Sequence, residues 1–447
     1  MFKKKVLKMR IPLSARRLHL IFVFTLLSIG VISFGASPAN AATLVVTTGT
    51  NSGAGSLREA LSNAVNGDTI TFASNVTDIT LTSALPTVTV GLTITGPGAD
   101  ILTIHRDASA ASFRIFAFAP GASQTVTISG VKISGGDATP GGGIGFNGST
   151  GSKLNLSKVS VVDNNSGYGG GIDATGNQGS SVLIDSSTIS GNTTNGGVSC
   201  GYCNGAGMKA EVPTTIINST FSGNRAGDNG GGIKVDSNVT IINSTFANNS
   251  ANGEGGGIWV TRFSQFPNLV LKNTLIAGNT YGSNKHQCDV SQNNTTLSVN
   301  LNNLIEDGSC NFLWGSGVST GSPTNFLSGN PSLLPLASNG GSTQTHGLGS
   351  SSIALGAGDA STCADVRLQG VDQQGTARSA LCSIGSFEVA IVPATTTTTT
   401  TPVTTTSAPT PVSLPATGKS VSPLILSFLF LIIGLVLVLR RRVVSFK

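Results

Sequence analysis

Four short segments of the chain place acids, bases and an aromatic ring at matching positions. Ile172, Met208, Ile233 and Ile258 are followed at once by Asp173, Lys209, Lys234 and Trp259, and two positions on stand Thr175, Glu211, Asp236 and Thr261. Side chains alternate along an extended strand, so if the apolar residue faces inward all of these face outward, on one stripe. Trp259 then offers a ring on which a sugar could stack. Glu211 and Asp236, on neighbouring strands, would stand roughly 5 Å apart at the backbone, near the carboxyl separation of a retaining glycosidase. The plainer reading is a solvated face on which Lys209 and Lys234 pair with Glu211 and Asp236, each exposed pair contributing about 0–1 kcal/mol. For catalysis the plainer reading is preferred, because no other feature of the sequence selects these acids; binding at Trp259 stays open. His105, His286 and His346 are isolated and no acidic run has the spacing of a calcium loop, so neither metal nor cofactor is expected.

The six cysteines, Cys200, Cys203, Cys288, Cys310, Cys363 and Cys382, are the other chemically pointed set. In an exported chain they favour disulfides, and the spacings suggest pairing of nearest neighbours, with all 15 connectivities open. The Cys200-x-x-Cys203 pair supplies too few thiolates for a closed zinc site and has no thioredoxin-like surroundings, so a local staple is preferred.

Something must hold these residues at matched positions, and a repeat does so. Thr214 to Ser237 aligns without a gap on Val239 to Arg262. One apolar site is filled in turn by Ile128, Leu156, Ile184, Ile216, Ile241 and Leu271, at spacings of 28, 28, 32, 25 and 30. A second holds Ile133, Val161, Ile189, Phe221, Phe246 and Ile276; a third holds Gly136, Asn164, Asn192, Asn224, Asn249 and Asn279. A glycine-led site follows, with Ile144, Ile172, Met208, Ile233 and Ile258. The apolar residues alternate over short β-branched runs divided by Gly/Asn turns, which indicates several strands per unit and excludes helical repeats. A unit of this size cannot bury its own apolar face, whereas units stacked about 4.8 Å apart close a continuous core. The expected product is an all-β parallel solenoid with inward Ile/Leu/Phe ladders. Asn side chains should bond between coils, Asn218, Asn243 and Asn273 forming a further such column. The glycine triplets supply positive φ and close backbone approach. The largest corner insertion carries Cys200 and Cys203.

Phe221-x-x-Asn224 and Phe246-x-x-Asn249, each followed by Gly-Gly-Gly-Ile, resemble the paired motifs of polymorphic outer membrane protein repeats, which belong to right-handed parallel β-helices. The resemblance runs from about Val126 to Asn279, with Ile or Val replacing Phe in most copies. It implies a fold and a cell-surface setting, and no reaction. Gly55-Ser56-Leu57-Arg58-Glu59-Ala60-Leu61 resembles the N-terminal signature of bacterial β-helix surface proteins, which usually has Cys in place of Gly55. Independently, Ser56 and Glu59 form a capping box before a short helix through about Val65, placed to cover the open end of the solenoid. Asn330-Pro331-Ser332-Leu333-Leu334-Pro335-Leu336, Asn339 to His346, Asp372-Gln373-Gln374-Gly375 and Cys382 to Glu388 resemble a choice-of-anchor Q domain, with Ser351 to Leu355 and Gln374 departing from its pattern.

Both ends read as addresses. Seven basic residues and no acid precede an apolar run, Leu20 to Phe34, and then Ala39-Asn40-Ala41, the order of a cleaved signal peptide. Five more bases lie in the C-terminal tail, so the overall charge of +6 conceals an exported body with 14 bases against 20 acids, which is no footprint for nucleic acid. Thr395 to Pro411 is a Thr/Pro-rich spacer with no core-forming pattern and a composition suited to O-glycosylation. Leu414-Pro415-Ala416-Thr417-Gly418, an apolar stretch from Val421 to Leu439 and Arg440-Arg441-Arg442 then resemble the LPXTG sorting signal of Gram-positive wall proteins. The resemblance implies that a sortase cysteine attacks the carbonyl of Thr417 and passes the chain to a peptidoglycan amine.

The expected order is therefore signal peptide (1–41), cap and first coils (42–125), β-helix repeats (126–329), choice-of-anchor Q-like C-terminal part of the β-helix (330–389), disordered stalk (390–413), and sorting signal with transmembrane helix and basic tail (414–447). The function expected of it is surface display on a Gram-positive-type cell, as a non-catalytic adhesin or a glycan- or partner-binding protein. Its partners would be sortase, peptidoglycan and an extracellular glycan or host surface, with the membrane touched only before sorting. The alternative is a secreted polysaccharide lyase or glycoside hydrolase on the same scaffold.

Overall fold

A computed structural model describes residues 41–195, 203–261, 267–290, 296–310 and 326–389. Each coil contributes one strand to each of several parallel sheets, and the chain winds as a right-handed parallel β-solenoid. The first sheet has ten strands from Thr43–Val46 to Thr296–Leu301, the second ten from Asp78–Leu81 to Phe326–Leu327, and the third seven from Phe116–Phe118 to Cys288–Val290.

The apolar columns stack in register. Ile128, Leu156, Ile184, Ile216, Ile241 and Leu271 are successive partners in the first sheet. Ile133, Val161, Ile189, Phe221, Phe246 and Ile276 are successive partners in the second. Ile144, Ile172, Met208, Ile233 and Ile258 run down the third and end on Cys288. All are fully buried. Parallel stacking of like side chains removes the apolar face of every coil from solvent at once.

At one corner the asparagines form a continuous amide ladder. Asn249 Oδ1 accepts from the backbone N–H and side-chain Nδ2 of Asn224 at 3.1 and 2.8 Å, and its own Nδ2 donates to Phe221 O and Asn279 Oδ1 at 3.0 and 2.8 Å. The same pattern runs from Asn164 to Asn279, begins on the Gly136 N–H and ends on Gln287 Oε1. The column Asn218, Asn243 and Asn273 behaves otherwise than expected. These residues sit at φ of 45°, 45° and 46°, in left-handed turns to which asparagine is suited. Their side chains turn outward to the C-terminal segment, and hydroxyls of Ser187, Ser219 and Ser244 bond between coils at that corner instead.

Both glycine roles occur at the triplets. Gly230 and Gly255 take φ of +68° and +64°, and a Cβ on Gly231 would collide with the carbonyls of Gly256 and Ser250. The N-terminal helix, Leu57–Asn63, buries Leu57, Ala60 and Leu61 on the first coils; Ser56 Oγ accepts from Glu59 N–H at 3.2 Å, while Glu59 Oε2 accepts from Gly55 N–H at 2.6 Å. It stops two residues short of Val65, because Ala64 turns to extended backbone at ψ 135°. Gly55 lies at φ +76° with Thr47 Oγ1 where a Cβ would stand, which accounts for glycine at a position where the resemblance expects cysteine.

The segment 330–389 adds no coils. It folds back along the outside of the second sheet, with Leu333–Ala337 pairing antiparallel to Thr345–Leu348. Gln373 Nε2 donates to Thr188 Oγ1 at 3.0 Å and its Oε1 accepts from Thr220 Oγ1 at 2.7 Å; Ser386 reaches Thr245 at 3.0 Å. Inside it, Arg378 lies 3.6 Å from Glu388, both buried, and Asp372 accepts from the backbone of Gln374, Thr376 and Glu388. The motif residues around Asp372 and Glu388 thus form the segment's own polar core.

Cys288 pairs with Cys310 and Cys363 with Cys382. Cys203 is disulfide-bonded as well, and Cys200 lies outside the described residues. Among the described residues no helix is long and apolar enough to cross a membrane. The signal peptide, the stalk, the apolar stretch 421–439 and Leu414 to Gly418 all lie outside them.

Candidate functional site

The outer face of the third sheet carries the matched residues. Ala117, Gly145, Asp173, Lys209, Lys234, Trp259 and Asp289 are successive register partners along it. The second row is held by the ladder: Glu211, Asp236 and Thr261 donate their N–H to Ala174, Ala210 and Val235 at 2.9 Å each.

Orientation is as alternation requires, but the face is only partly solvated: Glu211 is exposed, while much of the rest is covered. Asp173, Lys234 and Thr261 are 4, 5 and 4% exposed. Strands this close leave each long side chain lying against its neighbour on the next coil. Lys209 Nζ stands 5.2 Å from the centre of the Tyr168 ring and Lys234 Nζ stands 5.6 Å from that of Trp259. Trp259 is half-buried and its indole N–H donates to Glu254 Oε2 at 3.2 Å.

The charges fall into two unequal groups. Lys234 Nζ meets Asp236 Oδ2 at 2.9 Å, and the other oxygen of Asp236 accepts from the Thr261 hydroxyl. Lys209 has two carboxylates: Glu211 Oε1 at 2.6 Å and Asp173 Oδ1 at 3.7 Å. Burial pushes the Asp173 carboxyl up to about 6, against the pull of Lys209. Burial acts to lower Lys209, but Asp173 and Glu211 outweigh it and hold the ammonium above its ordinary value.

Sequence reasoning missed Arg114 and Tyr168, and Asp173 was seen on the stripe without being selected. Arg114 precedes the strand Phe116–Phe118, bonds the carbonyls of Gly141 and Pro140, and covers Gly145. The signal available was Gly145 itself: one small residue in a row of long ones leaves room that a neighbouring side chain fills. Burial lowers the Arg114 guanidinium, with Asp173 opposing. Together Thr87, Arg114, Asn147, Asp173 and Thr175 line an open cavity of about 290 Å³.

A second concavity of about 580 Å³ lies between the second sheet and segment 330–389, floored by Ser160, Ser190 and Ser222 and walled by Ser342 and Gln344. Beside it His346 is buried, its Nδ1 2.7 Å from Leu334 O and its Nε2 2.8 Å from Ser222 Oγ. The other two described histidines lie near single acids, His105 at 3.2 Å from Asp78 and His286 at 3.7 Å from Asp289.

No protein-family profile matches the chain, and no curated protein matches it in sequence. Among solved structures the chain is similar to pectate lyase Pel9A, with a TM-score of 0.37 and 11% identity over 78% of this chain and 96% of that one. It is also similar to ORF18 of Geobacillus virus E2, with a TM-score of 0.30 and 13% identity over 68% of this chain and 61% of that one.

Proposed function

We propose that the protein is a wall-displayed β-solenoid that binds an extracellular glycan or partner on the outer face of its third sheet, without cleaving it. One observation carries the reading. On that face Glu211 and Asp236 each meet a lysine within hydrogen-bonding distance, at 2.6 and 2.9 Å, so the two acids first suspected of catalysis are engaged with each strand's own base. A row of fixed donors and acceptors beside a half-buried indole suits recognition of hydroxyl-rich chains, where orientation comes from a few placed polar groups.

Display rests on the tail. Leu414-Pro415-Ala416-Thr417-Gly418 before an apolar stretch and three arginines supports sortase transfer to peptidoglycan. Mass spectrometry of wall digests tests this: a mature C-terminus at Thr417 joined to cross-bridge material supports it, and intact tail peptides recovered from membranes alone refute it.

For the face, the purified body is screened on a glycan and polysaccharide panel with binding and cleavage both scored. Trp259→Ala is expected to weaken binding by about tenfold or more, the loss typical of truncating an aromatic anchor, with an unchanged melting point. The second reading, a lyase or hydrolase, is favoured by the buried Asp173 beside the 290 Å³ cavity. Cleavage that disappears in Glu211→Gln, Asp236→Asn or Asp173→Asn would establish it in place of the first.

A further inference from the structure

Lys209 on the third sheet meets two carboxylates from two different coils. Glu211 is on its own strand, two residues on; Asp173 is on the preceding coil and is its direct register partner. Asp173 Oδ1 is buried and accepts no hydrogen bond, and Lys209 Nζ stands 3.7 Å from it. Lys209 and Asp173 have side-chain exposures of only 15 and 6%. In the neighbouring pair Lys234 and Asp236 lie two residues apart on the same coil, and one oxygen of Asp236 accepts from the Thr261 hydroxyl while the other, buried like Asp173 Oδ1 and likewise accepting no hydrogen bond, stands 2.9 Å from Lys234 Nζ.

We propose that Asp173 and Lys209 condense into an isopeptide bond joining adjacent coils, with Glu211 as the proton acceptor. Glu211, 2.6 Å from the amine, takes one proton from the Lys209 ammonium. The neutral amine attacks Cγ of the protonated Asp173 carboxyl and forms the C–N bond. The Cγ–OH bond breaks, and the hydroxyl leaves as water with a second proton from the nitrogen. An amide N–H remains, and the proton on Glu211 passes to solvent. No oxidant, reductant or activated donor is needed. Burial favours the neutral form of Asp173 that the step requires, and the register holds nucleophile and carbonyl together so that the reaction is intramolecular.

The position gives the bond a use. Asp173 to Lys209 spans 36 residues, against 25 from Lys209 to Lys234, because the longest corner insertion lies between them. Across this junction Gln373 ties Thr188 to Thr220 by hydrogen bonds alone, and it carries the longest excursion of chain, so a covalent tie between these coils adds to what stacking and those bonds supply.

The test is the mass of the full-length chain as produced, measured intact and after proteolysis. The expected result is a mass one water below the sequence mass corrected for disulfides and processing, with a branched peptide whose fragment ions join Asp173 to Lys209. Glu211→Gln and Lys209→Arg are each expected to restore the lost water. Lys209→Arg keeps the charge, so a variant that folds can be compared directly. A folded wild-type chain at full mass overturns the proposal. So does a water loss mapped elsewhere, such as a succinimide, or one that persists in either variant. None of these outcomes depends on what the sheet binds.

Discussion

Phe246→Ala probes the inward column of the second sheet. Phe246 is fully buried, and its ring stacks on that of Phe221 with centroids 4.6 Å apart and planes 9° from parallel. Truncating a buried phenylalanine costs about 3–5 kcal/mol, from lost transfer energy plus the cavity left behind. Collapse is restricted here, since Phe221 and Ile276 are pinned by their own ladders on either side. A value near 4 kcal/mol is therefore expected, of which about 0.5–1.5 belongs to the ring pair. Phe221→Ala should cost a similar amount, and the double variant should cost less than their sum by about that ring-pair term, because the second truncation no longer loses the stack. Urea unfolding of the purified protein, followed by near-UV circular dichroism, measures all three, with a constant m-value required for the comparison. Hydrogen exchange adds a local readout, as strands Val239–Ile242 and Thr245–Ala247 should lose protection first. A loss below about 1 kcal/mol for Phe246→Ala, or strict additivity in the double variant, would refute the stacked-column account.

Three further outcomes are expected. Asn249→Ala leaves Asn224 N–H, Phe221 O and Asn279 Oδ1 without their buried partner, so it should destabilise by about 2–5 kcal/mol in the same urea assay, more than its small loss of volume implies. Burial holds the His346 imidazole below its ordinary value, so docking of 330–389 should be intact above about pH 6.5 and weaken as pH falls through the lowered value; thermal melts across pH should show this, and His346→Gln should flatten the dependence. Thr417→Ala should shift the protein from wall to membrane or medium on cell fractionation while leaving its melting point unchanged, since the stalk separates the sorting signal from the solenoid.

What could be read in advance follows from where the information lies. The inward columns were legible because a parallel in-register stack turns spatial neighbours into a sequence period; Phe221 and Phe246 are 25 residues apart in a segment without gaps, so their contact is written in the chain. Asn218, Asn243 and Asn273 were legible as a column but not in their use. Identical spacing is compatible with bonding along the stack or away from it, and the left-handed turn decided for the second. On the third sheet, alternation gave the direction of Asp173 and Lys234 correctly. It could not give their burial, which depends on the Trp259 ring within the row and on Tyr168 and Arg114 from outside it. The course of 330–389 was hidden for a related reason. Thr188, Thr220 and Thr245 look like solvent-facing strand residues, and their partners Gln373 and Ser386 lie more than 100 positions away with no period to announce them.

That hidden course bears on how an anchored protein of this shape would carry load. Were 330–389 further coils, a pull on a stalk beginning at 390 would act on the last coil alone, and a stack held only by neighbour contacts would peel from that end. The fold-back changes the point of attachment. Glu388, the penultimate described residue of the body, receives Ser383 on both carboxylate oxygens and faces Arg378, which in turn reaches Asn218 Oδ1 at 3.2 Å. Two residues before Glu388, Ser386 bonds Thr220 and Thr245 on two successive coils. In an anchored protein, tension arriving through the proposed stalk would reach the coils around 218–245 through these hydrogen bonds, rather than the terminal coil near Phe326. The polar core built from Arg378, Asp372 and Glu388 would brace that route. A buried ion pair of this kind contributes little net stability but fixes a defined geometry for the groups around it.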